Sequence, residues 1–126
     1  MQPLFNVNAL KSFAGSQDLT AHNVANINTD EYRSKRLDLE TGPEGRGVRP
    51  ARVVEDSTPG PLVQTWRPVE NEEGKIEQKE VEVEGSNTDL AREITRMIAD
   101  ERAMEANAQA VRTYDHMAGT IIDILV

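Results

Sequence analysis

Apolar and polar positions along this chain mark out two long helical runs around a short irregular middle. The C-terminal run, NTDLAREITRMIADERAMEANAQAVRTYDHMAGTIIDILV, contains no Pro and no Gly before Gly119. Apolar or small residues recur at Leu90, Ile94, Met97, Met104, Ala108, Val111, Ala118, Ile122 and Leu125. This is a heptad seam broken only by Glu101 and Asp115. A helix of that length spans roughly 55–60 Å. Such a rod makes no compact core alone and needs a long partner.

The N-terminal run supplies the partner. Its seam reads Val7, Leu10, Ala14, Gln17, Ala21 and Val24, with Phe13 beside it. Pro3 suits a helix start, where its missing N–H costs nothing. The helix should fade near Asn26-Ile27-Asn28-Thr29, because Asn favours turns and caps. Ser86 with Asp89 three residues on reads as a capping box for the second helix, with Asn87 as the alternative cap. An ordinary small bundle would need a third helix, and the pattern offers none. The expected fold is therefore mainly α. Two long terminal helices (1–29 and 86–126) pair as a coiled coil, with a small β-rich or irregular insertion at 30–85.

That middle has no helical period and holds most of the Gly and Pro. Val48 to Glu55 and Lys75 to Glu84 are the strand candidates, with a turn at Glu72-Glu73-Gly74. A small hairpin or three short strands are expected, with a mobile loop near 41–47. Trp66, the only Trp, should anchor this β-layer to the helices. The Gly-rich stretch Gly42 to Gly47 lacks the Lys-Ser/Thr and following helix of a phosphate loop.

A second face is visible on the C-terminal helix. Ala99, Ala103, Ala106 and Ala110 are spaced 4, 3 and 4, away from the large apolar residues. Ala is also simply the best helix former. The alternative is a close contact with a neighbouring subunit.

The run Ala21-His22-Asn23-Val24-Ala25-Asn26-Ile27-Asn28-Thr29, followed by Tyr32-Arg33, resembles the N-terminal signature of bacterial flagellar axial proteins, the family of rod and hook subunits. Glu84-Gly85-Ser86-Asn87-Thr88-Asp89-Leu90-Ala91, with Glu101 to Ala108 downstream, resembles that family's C-terminal signature. Both ends match in the right order. Two positions depart from the pattern. Glu31 stands where the family usually has Gly before the Tyr, so the turn loses an easy left-handed position. Met104 stands where an aromatic is usual. Within the family, the short length is most similar to the small proximal rod proteins, as is Val53 to Val63.

The resemblance implies a structural, non-enzymatic subunit of the basal-body rod. Its partners would be other copies, other rod proteins and the flagellar type III export apparatus. It implies assembly contacts at Asn23, Ala25, Asn26, Asn28 and Thr29 in the first signature. In the C-terminal run the corresponding residues are Asn87, Leu90 and Asn107, beside the Ala stripe. It also implies export without a cleaved signal peptide into the periplasm-spanning rod. The runner-up is a soluble coiled-coil export adaptor or chaperone of a type III system. Such an adaptor would stay cytoplasmic, and it has no reason to carry both signatures.

Composition narrows the rest. The chain has 126 residues, no Cys and a net charge of −8. Thiol chemistry is excluded, and nucleic-acid phosphates would repel it. The first residues lack a charged segment and a continuous apolar stretch, so no cleavable signal peptide is expected. His22 and His116 could meet across antiparallel helices, but metal ligation needs more ligands than this. No Ser-His-Asp or Cys-His order points to catalysis. Neither a cofactor nor a small-molecule substrate is expected. Residues 33–52 carry six basic side chains against three acidic ones, and 70–84 carry seven Glu against Lys75 and Lys79. The expectation is either solvated loops or complementary docking between neighbours, where opposite charge sets register.

Overall fold

The computed structural model describes residues 3–126. The order is α1 (Pro3–Ala25), β1 (Lys35–Thr41), a 3-10 turn (Pro43–Gly45), β2 (Val48–Glu55), β3 (Leu62–Glu70), β4 (Ile76–Glu84) and α2 (Leu90–Leu125). β1 and β2 form one antiparallel hairpin, and β3 and β4 form another. The expectation of a mainly α coiled-coil protein is thereby corrected. The fold is two terminal helices plus two separate two-stranded sheets.

α1 is the central element. It lies against α2 on one side and against β1–β2 on the other. The helices run antiparallel: Ser16 donates to Asp100 at 2.6 Å, and Asn23 donates to Glu93 at 3.1 Å. Toward the hairpin, Ser12 donates to the Val48 carbonyl at 3.3 Å, and Gly15 lies close to Leu37. A helix shared between two partners cannot give one continuous apolar seam to either. Among the described residues, Ala9 is the only buried apolar side chain; Ser12, Thr20, Asn23, Ser34, Ser86 and Glu93 are buried with it. A coiled coil needs apolar knobs throughout its seam. Here the covered side of α2 includes Glu93, Asp100 and Asn107 beside Met97, Met104 and Val111. Leu90 and Ile94, expected in the seam, are each 45 % exposed.

The α2 cap also differs from expectation. Asp89 is the N-cap and accepts from the Ala91 and Arg92 amides. Ser86 instead donates to Thr88. An Asp closer to the first turn supplies the same acceptor and adds a favourable charge at the positive end of the helix.

β1 and β3 carry no strong sequence signal. β1 is rich in charge, and β3 contains Pro68, which reads as a breaker. In a two-stranded sheet every strand is an edge, so Pro is tolerated. Pro50 in β2 is handled differently. The register moves from Asp38↔Arg52 to Leu39↔Pro50, leaving Ala51 as a bulge. The 41–47 segment, expected as a mobile loop, is a tight turn closed by Gly42 N–H donating to the Gly47 carbonyl at 3.0 Å.

The β3–β4 hairpin stands apart from both helices. Its base is held by Arg33–Glu84 at 2.9 Å and by the Glu31 amide donating to the Glu84 carbonyl at 2.7 Å. Trp66 therefore does not anchor the β-layer to the helices, and it is 67 % exposed.

Candidate functional site

The two signature regions converge on one end of the helix pair, where α1 stops, the hairpins begin and α2 starts. Asn23 is the hub. Its amide nitrogen donates to the Lys35 carbonyl at 2.6 Å and to Glu93 at 3.1 Å. Its carbonyl oxygen accepts from the Tyr32 hydroxyl and from the Lys35 amide, each at 2.9 Å. The full capacity of a side-chain amide is used inside the chain. Asn23 and Glu93 are both fully buried, and Arg96 at 3.2 Å supplies the charge partner of Glu93. Burial pushes the Tyr32 phenol above its usual range, and the Glu93 charge adds to this. One side chain thus ties α1, the Tyr32 turn, β1 and α2 together.

Asn87 makes a second knot. It accepts from the Ser34 amide at 2.7 Å and donates to the Asp56 and Thr58 carbonyls at 2.8 and 2.9 Å. Its own amide donates to the Tyr32 carbonyl at 3.2 Å. It therefore joins the start of β1, the link between the hairpins and the approach to α2. The Thr58 backbone amide, 2.9 Å from the Asp56 carboxylate, is the main reason that this carboxyl lies below its usual range.

The remaining expected contact residues divide by exposure. Asn26 donates to the His22 carbonyl at 2.8 Å and accepts from Thr29 at 3.0 Å, closing the end of α1. Ala25, Asn28 and Thr29 face solvent. Asn107 donates to the Ala103 carbonyl within its own helix at 2.8 Å. Ala99 and Ala106 are exposed, whereas Ala103 and Ala110 are partly covered, so the Ala stripe is not uniformly open. Leu90 stays half-exposed. The antiparallel register separates His22 from His116. His22 instead lies beside Tyr32, with ring centroids 5.8 Å apart.

The basic stretch is largely paired in place. Arg49 meets Glu40 at 2.6 Å, and Arg36 and Arg52 meet Asp38 at 2.9 and 3.2 Å. Hydrogen bonds from Arg36 and then Arg52 hold the Asp38 carboxyl below its usual range. Among the described residues Lys11, Lys35 and Arg46 have no ion-pair partner.

Sequence reasoning missed Tyr32, Ser34 and Glu93 as partners of the two Asn residues. Tyr32 was legible as part of the signature. Nothing local separates Glu93 from the exposed Glu101 and Glu105, since only the helix register buries it.

Glu31, the residue standing in for Gly, adopts φ +60°. The backbone thus makes the left-handed turn without its usual residue, at a cost of about 1–2 kcal/mol. Glu31→Gly should raise stability by about 1 kcal/mol in urea unfolding. The loosely held ion pair of Glu31 with Arg67, at 3.8 Å on an exposed side chain, offsets little of that. An unchanged midpoint would show that the strain is relieved elsewhere.

One open apolar surface lies at the far end of α2. Met117, Ile121, Ile122, Ile124 and Leu125 are all more than half exposed. Among the described residues no His/Cys/Asp/Glu cluster is arranged to hold a metal ion. No described helix is long and apolar enough to cross a membrane.

Residues 82–124 match the family model described as flagellar basal body rod FlgEFG protein C-terminal. The match begins in β4 and takes in Asn87, the Asp89 cap and nearly all of α2. It covers less than half of the chain. The likeness is to the C-terminal part of flagellar basal body rod proteins. No curated protein matches the chain.

Proposed function

We propose that this chain is a non-catalytic structural subunit of the bacterial flagellar rod, self-assembling with further copies and with other axial proteins. The family match over residues 82–124 carries this reading. The open apolar end of α2 supports it. Isolated exposed apolar residues are ordinary, but five within nine residues of one helix form a patch of the kind that marks a protein contact. The two Asn knots hold the start of α2 against α1, so that patch is presented on a helix fixed at its other end.

The finer assignment, to the small proximal rod type FlgC, rests on the likeness of Val53 to Val63. It carries with it export through the flagellar type III apparatus and residence in the periplasm-spanning rod.

Deleting the chain in its own bacterium should abolish swimming and give basal bodies that lack a complete rod, with recovery on re-expression. Immunogold labelling should find the protein in purified basal bodies. A protein that stays in the cytoplasm as a closed oligomer, in cells that still build rods without it, would refute the proposal and favour an export adaptor.

A further inference from the structure

The β3–β4 hairpin sorts its charges by face. Side chains alternate along a strand, and the register sets Trp66 opposite Glu80. One face therefore carries Leu62, Trp66 and Ile76 with Glu70, Glu80, Glu82 and Glu84. Every charge on it is a carboxylate, whereas Arg67 and Lys79 belong to the other face. Glu84 is engaged by Arg33 and by the Gly60 amide. Glu80 and Glu82 take no hydrogen-bond or ion-pair partner among the described residues. The result is a large exposed indole flanked by free carboxylates, on an element that touches neither helix closely.

The complementary surface lies elsewhere on the same chain. A cavity of about 310 Å³ opens between the first half of α1 and the β1–β2 turn. Phe5, Pro43, Val48 and Pro50 give it apolar walls; Lys11, Arg46 and Arg49 rim it. No Asp or Glu lines it. Gly47, at φ +72°, shapes the wall: a Cβ there would approach the Phe5 ring to 3.2 Å.

We infer that Trp66 of one copy docks into this cavity on a second copy, with Glu80 and Glu82 meeting Lys11 and Arg46. This rests on reading the chain as a self-assembling subunit. The volume is at the small end of ligand pockets, which run from roughly 300 Å³, and so suits a single aromatic anchor. An Arg beside the indole adds a cation–π attraction. Trp and Arg are the residue types that dominate interface energetics. Both halves stand open in the single chain, so the pairing is between copies. Because the two surfaces differ, the contact is heterologous and repeats into an open assembly or a ring, not a two-fold dimer.

The chain has one Trp and no Cys, which makes the test direct. In the purified full chain, Trp66 emission should shift to the blue and resist acrylamide quenching as sedimentation shows self-association. Mixing Arg46→Cys protein with Glu80→Cys protein should give a disulfide-linked mixed dimer; a Glu105→Cys partner should not. Trp66→Ala should weaken association about thirtyfold, the scale of an interface hot spot, without changing the circular dichroism. Trp66→Phe should recover part of the loss. Association with unmoved Trp66 emission, or no association up to millimolar concentration, overturns the docking. A blue shift and mixed dimer in a protein whose deletion leaves cells swimming would sink the rod reading and leave this contact standing.

Discussion

Asn23→Ala should cost about 3–5 kcal/mol in urea unfolding, because several covered polar groups lose a hydrogen-bond partner together. The substitution removes four hydrogen bonds at once. It leaves the Lys35 amide and carbonyl, the Tyr32 hydroxyl and one oxygen of Glu93 without that partner, where Asn23 and Glu93 are fully buried and Tyr32 and Lys35 partly covered. Each uncompensated buried group costs about 1–3 kcal/mol, and a small domain has only about 5–15 kcal/mol in total. The apolar core is thin, so little else compensates. Tyr32→Phe removes a single partner and should cost only about 1 kcal/mol. Equal effects from the two would show that water fills the site, and that Asn23 is not the hub.

Ile121→Glu with Ile122→Glu should abolish rod assembly and swimming while leaving the folded monomer intact. The two side chains are 56 and 59 % exposed, so the fold does not depend on them. Docked against a neighbour, each isoleucine would contribute up to about 1.5–3 kcal/mol. Replacing both loses that term and forces two carboxylates into an apolar contact without partners, which adds several kcal/mol of desolvation. Soft-agar motility and electron microscopy of basal bodies read the assembly, and circular dichroism reads the monomer. Normal swimming by cells carrying the double substitution would show that this end of α2 faces water in the rod.

Legible in the sequence were the two terminal helices, a strand at Val48 to Glu55, a strand at Lys75 to Glu84 that the structure forms as Ile76–Glu84, and the signature residues that bracket the middle. These are local properties. A period of three to four over many residues can form only a helix, and Val alternating with Glu suits a strand. The other two strands were hidden because their evidence is not local. β1 is a charged run whose Arg and Asp are matched only once Arg36 and Arg52 reach Asp38 across the hairpin. β3 hides behind Pro68, which is harmless only because the sheet has just two strands.

Tertiary structure alone decided how the helices meet and what the signature Asn residues do. The heptad seams suggested one continuous apolar contact. α1 instead divides its surface between α2 and β1–β2, which leaves Leu90 and Ile94 half in water and places Glu93 inside. Asn23 and Asn87 were legible as important but were assigned to contacts between subunits. In the folded chain their side chains are occupied within it, because a side-chain amide offers the donors and acceptors that backbone groups need where a helix stops and a strand starts. The burial of Asn23 depends on the phase of α1 against α2, which sets it on Glu93, and on the turn through Glu31 that brings Tyr32 back to it. No window of sequence contains both.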